Sequence, residues 1–148
     1  MLEVTVVEHF DLDPALLWDA LADLDAHREW MTDVRTLHFL TAQRSGVGTR
    51  YVIEVANGAF RVRDHVEVVT WDRPGELAIT HRIGPARGAG RFLLTAAAEG
   101  VRLEWHTRFE VPWWAGGAVA ERLGAPATRR LLTRNLASLR RWLTERDG

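Results

Sequence analysis

Between residues 34 and 111 the chain alternates apolar and polar residues in short runs, and after residue 127 it changes to a helical repeat. In FRVRDHVEV (60–68), Phe60, Val62, Val66 and Val68 share one face, and Arg61, Arg63, His65 and Glu67 take the other. Side chains of an extended chain alternate with period two, so this run reads as a half-buried strand. Five more runs behave alike: VRTLHFLT, TRYVIEVA, ELAITHRI, GRFLLTAAA and VRLEWHTRFEV. They are bounded by turn chemistry at RSGVG, Asn57-Gly58, Asp72-Arg73-Pro74-Gly75, Gly84-Pro85 and Glu99-Gly100. Six strands joined by short links predict an antiparallel meander. EVTVVEHF (3–10) is β-branched and adds a strand at the start.

Helical signals flank this block. Asp13-Pro14 is an N-cap followed by proline at the first helical position, and Leu17, Leu21 and Leu24 then recur at helical spacing. A second short helix is expected from Asp25, as its cap, to Met31. Near the other end, Ala118–Leu123 starts a helical piece that Gly124 and Pro126 should interrupt. From Ala127 on, Leu132, Leu136, Leu139 and Leu143 form the stripe of a long amphipathic helix. A seven-stranded sheet with one apolar face needs a cover, and this helix is the only long amphipathic element. The expected fold is therefore α+β: a seven-stranded antiparallel sheet curled around the long C-terminal helix, with two short helices after the first strand plugging one end. Residues 1–148 should form one domain.

Composition narrows the function classes. A chain of 148 residues can bury one core. Its net charge of -1 gives no basic field for nucleic acid. The absence of cysteine removes disulfides, thiolate metal sites and cysteine nucleophiles. MLEVTVVEHF lacks a basic leader and a long apolar stretch, and no run approaches the ~20 apolar residues of a membrane helix. A cytoplasmic protein without stable membrane insertion is expected; its oligomeric state is not legible. Serine-nucleophile, P-loop and dinucleotide motifs are absent, so no cofactor is expected. Seven tryptophans are the compositional oddity, and such a supply suits either a cavity wall or ordinary packing.

Asp64 stands out, because it falls in the middle of the apolar row of FRVRDHVEV. A carboxylate there is costly unless it is paired or faces a polar-lined space. On the next strand His81 lies in an apolar row with Leu77, Ile79 and Ile83. His65 and His106 fall on outward rows, so the histidines do not converge and no metal site is expected. If Arg73–Glu76 forms the turn, Val68 lies opposite His81 and Asp64 is two pair-steps away; a looser loop shifts the register by two and makes Asp64 a closer neighbour. Sharing one cavity is then expected, and direct bonding is left open. Two readings stand side by side. His81 is a general acid/base that Asp64 orients, or Asp64 is itself the base; alternatively, both are satisfied interior polar groups. The same parity turns Tyr51, Ile53, Phe92, Trp105, Thr107 and Phe109 inward. Asn135, inside the leucine stripe, needs a ligand or water partner unless it sits at a half-solvated edge. Trp113, with Trp114 beside Gly116-Gly117, suggests a mobile rim or a hydrophobic plug.

The opening VTVVEHFDLDPALLWDALADLDAHREWM and the closing RRLLTRNLASLRRWLTE, together with VRLEWHTRFEVP, resemble the helix-grip superfamily. That group includes START-related lipid-transfer domains, birch-pollen-allergen-like proteins and bacterial polyketide cyclase/dehydrase-like proteins (SRPBCC). The resemblance spans nearly the whole chain. It implies a deep cavity between sheet and last helix that takes a small apolar or aromatic molecule. It further suggests cyclisation, dehydration or isomerisation of a polyketide-like or terpenoid substrate. His81 and Asp64 would move protons, and Tyr51 or Asn135 would polarise a carbonyl. A non-catalytic carrier or sensor of a lipid or quinone is the alternative, and a partner-binding module anchored by Trp113-Trp114 is a third.

Overall fold

The computed structural model describes residues 1–57 and 59–147. The turn expected at Asn57-Gly58 and the inward direction expected of the Phe60 side chain fall outside the described residues. Seven strands follow the chain order: β1 (Leu2–Phe10), β2 (Val34–Phe39), β3 (Arg50–Asn57), β4 (Phe60–Asp72), β5 (Glu76–Ile83), β6 (Ala86–Ala96) and β7 (Val101–Glu110). They form one antiparallel sheet in the order β1-β7-β6-β5-β4-β3-β2. The meander is as expected, with β1 added beside β7 at the far edge. Strand β6 starts at Ala86, four residues before the expected Gly90, because Ile83 pairs directly with Ala86 across the Gly84-Pro85 turn. Gly84 supplies the positive φ of 54° that this tight turn uses.

Helix α1 (Pro14–Ala22) begins as its sequence dictates, with Asp13 accepting from the Ala15 N–H at 2.8 Å and proline at the first turn. The second helix departs from expectation. A 3₁₀ turn at Leu24–Ala26 runs into α2 (His27–Trp30), and Asp25 lies inside that turn. Its carboxylate pairs with Arg28 at 3.3 Å and caps nothing.

Helix α3 spans Gly117–Asp147 without the expected break. Pro126 lacks an N–H and leaves the Arg122 carbonyl without its usual donor. Both residues are exposed, so water can serve that carbonyl. Gly124 has a packing role: a Cβ there would meet Leu2 Cδ1 at 3.4 Å, so glycine lets the helix lie close on β1. Packing here overrides local propensity.

Leu132, Leu136 and Leu139 of α3 are buried against the inner face of the sheet. Each contributes about 2 kcal/mol by leaving water. Trp30 of α2 is fully buried and stands edge-on to Trp105 of β7 at 6.2 Å. Trp18 of α1 meets Trp71 edge-on at 5.6 Å, and Asp19 holds Arg73 in an ion pair at 3.0 Å. The short helices therefore close one end of the space between sheet and α3. No helix among the described residues is long and apolar enough to cross a membrane.

Candidate active-site cavity

Sheet register decides which side chains meet. One cross-strand row on the inner face runs Phe39, Tyr51, Val66, His81, Gly88, Phe109, Leu2. The neighbouring row toward the β3–β4 hairpin runs Leu37, Ile53, Asp64, Ile83. Another, on the opposite side, runs Val68, Ile79, Gly90, Thr107, Val4. Together with α3 these rows enclose a cavity of about 210 Å³. Tyr51, Ile53, Phe92, Trp105, Thr107, Phe109 and Asn135 all stand on its wall, as do Asp64 and His81. Val62, expected in the inward row, is 38% exposed at the tip of the β3–β4 hairpin.

Asp64 and His81 meet directly. His81 Nδ1 lies 2.6 Å from Asp64 Oδ2, with only 14% and 4% of the two side chains exposed. The expected register put Val68 opposite His81, whereas Val66 occupies that place. Two events produce the shift. The loop has three residues, so Asp72 pairs with Glu76, and a bulge between Val68 and Thr70 adds one more step. Asp64 thereby lies opposite Ile83, one diagonal from His81, a separation that an imidazole can span.

A carboxylate can only accept, so the neutral imidazole of His81 carries its proton on Nδ1 when paired with it and offers the Nε2 lone pair on the side away from Asp64. The other carboxylate oxygen, Oδ1, is buried without a hydrogen-bond partner among the described residues. Such an unmet buried acceptor costs about 1–3 kcal/mol and is the sort of cost that functional sites carry. The His81 ring lies beside Phe109, with centroids 5.4 Å apart. Two glycines of β6 make room for these rings. A Cβ on Gly88 would fall 2.6 Å from Phe109 Cδ1, and one on Gly90 would fall 3.1 Å from His81 Nε2. Their spacing (Gly88, Ala89, Gly90) is a strand signal for close approach, legible in the sequence once β6 is extended to Ala86.

Tyr51 is 2% exposed. Burial, reinforced by the nearby Asp64 charge, raises its pKa well above the phenol range and keeps it a hydrogen-bond donor.

Asn135 has a different place from either expectation. It is 2% exposed, so it sits at no half-solvated edge. Its Oδ1 accepts from the Thr32 N–H at 2.9 Å and the Thr32 hydroxyl at 2.8 Å, and its Nδ2 donates to Asp33 Oδ1 at 3.0 Å. The amide clasps α3 to the loop between α2 and β2. Sequence reasoning missed His27 as well. It stands on the cavity wall, 6% exposed, donating from Nε2 to the Leu21 carbonyl at 2.7 Å. Burial lowers its pKa, with the Leu21 bond opposing, and the imidazole is neutral. No periodicity marks these loop and helix-end residues. Trp113 and Trp114 belong to a 3₁₀ turn, Trp113–Ala115. They are 87% and 65% exposed, and neither stands on the cavity wall.

Comparison with known proteins adds the following. The family described as polyketide cyclase / dehydrase and lipid transport matches residues 1–144. No curated protein matches the chain. Among solved structures, protein MLL2253 from Mesorhizobium loti is 19% identical, with 97% of each chain covered and a TM-score of 0.74. Major latex-like protein 151 of Panax ginseng is 8% identical, with 93% of each chain covered and a TM-score of 0.72. The di-domain ARO/CYC StfQ of the steffimycin biosynthetic pathway is 13% identical; 99% of this chain and 52% of that one are covered, with a TM-score of 0.76. Identities this low establish a shared fold.

Proposed function

The chain belongs to the polyketide cyclase / dehydrase and lipid transport family, and on that premise we propose that it binds a small, ring-bearing apolar molecule and moves protons on it through His81 and Asp64. The observation that carries this reading is the 2.6 Å bond between His81 Nδ1 and Asp64 Oδ2 on the wall of an otherwise apolar cavity. An engineered cavity of about 150 Å³ takes up benzene. A space of about 210 Å³ therefore suits a substituted ring or two fused rings. Asp64 fixes the imidazole in one orientation, and Nε2 accepts a proton from a carbon next to a ketone or returns one to a departing hydroxyl. Cyclisation, dehydration and isomerisation of a polyketide-like substrate all need such transfers. Phe92, Trp105 and Phe109 hold the rings, and Tyr51 donates to a carbonyl oxygen. Holding one folded conformer lowers the barrier further by pre-set geometry. No step calls on a cofactor.

A bicyclic ketone tests the reading without knowledge of the natural substrate. Protein in D₂O with 2-tetralone should accelerate deuterium uptake next to the carbonyl, followed by NMR. Relative to wild type, His81→Ala should slow that exchange by roughly 10²–10⁴-fold, with Asp64→Asn also slowed. The ketone should still bind both variants. Binding with no acceleration over free imidazole would leave a carrier, the second function that the family description names. Failure of the ketone to bind would remove the cavity reading itself.

A further inference from the structure

Gly90 lies between Ile79 and Thr107 on the inner face of the sheet. A Cβ at Gly90 would sit 3.1 Å from His81 Nε2 and 3.6 Å from Thr107 Oγ1. Two polar atoms from different strands thus overhang one bare patch of backbone. Thr107 is 7% exposed, and all three residues stand on the wall of the same cavity. The bond that holds the His81 ring is made by its other nitrogen, Nδ1, to Asp64 Oδ2, so Nε2 faces the patch. Ile79 Cγ1 closes the third side, 3.6 Å from the same point.

We propose that this patch seats a hydroxyl of the ligand, carried on a ring as a phenol or an enol. The proposal rests on the ligand-binding reading above and adds the polar group that the cavity selects. The argument comes from donors and acceptors. Nδ1–H is held by Asp64 Oδ2, so Nε2 offers a lone pair and asks for a donor. The Thr107 hydroxyl is free to rotate and can donate to an oxygen beside it. Among oxygen groups, the one that gives a hydrogen bond and receives another at a single atom is a hydroxyl. A ketone or ether oxygen would set its lone pairs against the Nε2 lone pair. Gly90 is then a specificity-determining residue, because any side chain at that position fills the seat. Thr107 is a positioning residue for the ligand oxygen.

The test compares 2-naphthol, 2-methoxynaphthalene and naphthalene by equilibrium dialysis with the full chain. Wild type should bind 2-naphthol about tenfold more tightly than naphthalene, the effect of one or two net hydrogen bonds. The methoxy compound should gain nothing over naphthalene. Gly90→Ala and the near-isosteric Thr107→Val should each bring 2-naphthol to within about threefold of naphthalene, and Thr107→Ser should keep the preference. Thermal unfolding of each variant shows that it is folded. Equal affinities for 2-naphthol and naphthalene in wild type would overturn the hydroxyl seat while leaving the ligand cavity in place. A preference that survives both Gly90→Ala and Thr107→Val would put the hydroxyl elsewhere and overturn it too. Binding of none of the three compounds would remove the cavity reading and this one with it.

Discussion

Replacing Asn135 by leucine asks whether a buried amide is structural cement or spare ligand-binding capacity. The two side chains share the same branched heavy-atom skeleton, so the exchange leaves no void and removes the hydrogen bonds. Asn135 Oδ1 accepts from the Thr32 N–H and hydroxyl, and Nδ2 donates to Asp33 Oδ1. In Asn135→Leu the Thr32 hydroxyl oxygen still accepts from Arg134 Nε at 3.2 Å, and its proton can turn to water. The Thr32 N–H and the Asp33 carboxylate lose their partner. Orphaned groups cost about 1–3 kcal/mol each when fully buried. These bonds are partly buried, and water recovers some of the loss, so roughly 1 kcal/mol for the amide and 1–2 for the carboxylate are appropriate. A leucine in the stripe of Leu132, Leu136 and Leu139 returns about 0.5–1 kcal/mol of apolar burial. The expected net destabilisation is about 1–2.5 kcal/mol, near 3–8 °C in Tm for a chain of this size. Equilibrium urea unfolding followed by circular dichroism measures it, with an unchanged m-value as the check on two-state behaviour. A variant within about 0.5 kcal/mol of wild type, or more stable, would refute the clasp and return Asn135 to the ligand.

Two further predictions follow from burial and exposure. His27 titrates lower folded than unfolded, so the unfolded chain binds its proton first. Its contribution to stability is complete above the ordinary histidine value of 6.5 and is lost as pH falls from there toward the depressed folded value. Stability should therefore drop below pH 6.5 with a slope of at most about 1.4 kcal/mol per pH unit. His27→Gln, which can still donate to the Leu21 carbonyl, should remove that part of the slope in pH-resolved urea titrations; a persistent slope would mean other groups cause it. Trp113→Ala should change stability by less than about 0.5 kcal/mol, because the ring is 87% exposed. Its affinity for 2-naphthol should stay within about twofold of wild type in the same dialysis experiment, and a larger loss would show that Trp113 reaches the ligand.

The order of elements was legible because each rests on a local signal. Asp13-Pro14 starts a helix, the leucines of α3 repeat along one stripe, and the strands alternate until a glycine or proline stops them. The misread features have the opposite character. Pro126 argues locally for a break, but α3 continues through it packed along β1, a contact far apart in sequence. Asp25 has the chemistry of a cap and sits inside the 3₁₀ turn, two residues past the N-cap position at Asp23.

Facing was more secure than pairing, and the reason is arithmetic on strands. A register error of one residue would have turned the whole inner row of β5 to solvent. Here the three-residue loop moves the pairing by one and the bulge between Val68 and Thr70 moves it by one again. An even total returns every residue beyond the bulge to its expected side, so His81 and Asp64 were correctly turned inward while their separation stayed open between two registers. The doublet Val68-Val69 is the trace of the bulge in the sequence: two apolar residues in succession break the alternation, and Val68 is fully buried while Val69 is 43% exposed. Reading that doublet as a bulge, with a loop confined to Arg73–Gly75, places Asp64 on the diagonal of His81 from sequence alone. His27 and Asp33 offer no such route. They stand at a helix start and in a loop, where neither period two nor period 3.6 fixes a direction, and only the packing of α2 against α3 brings them to the cavity.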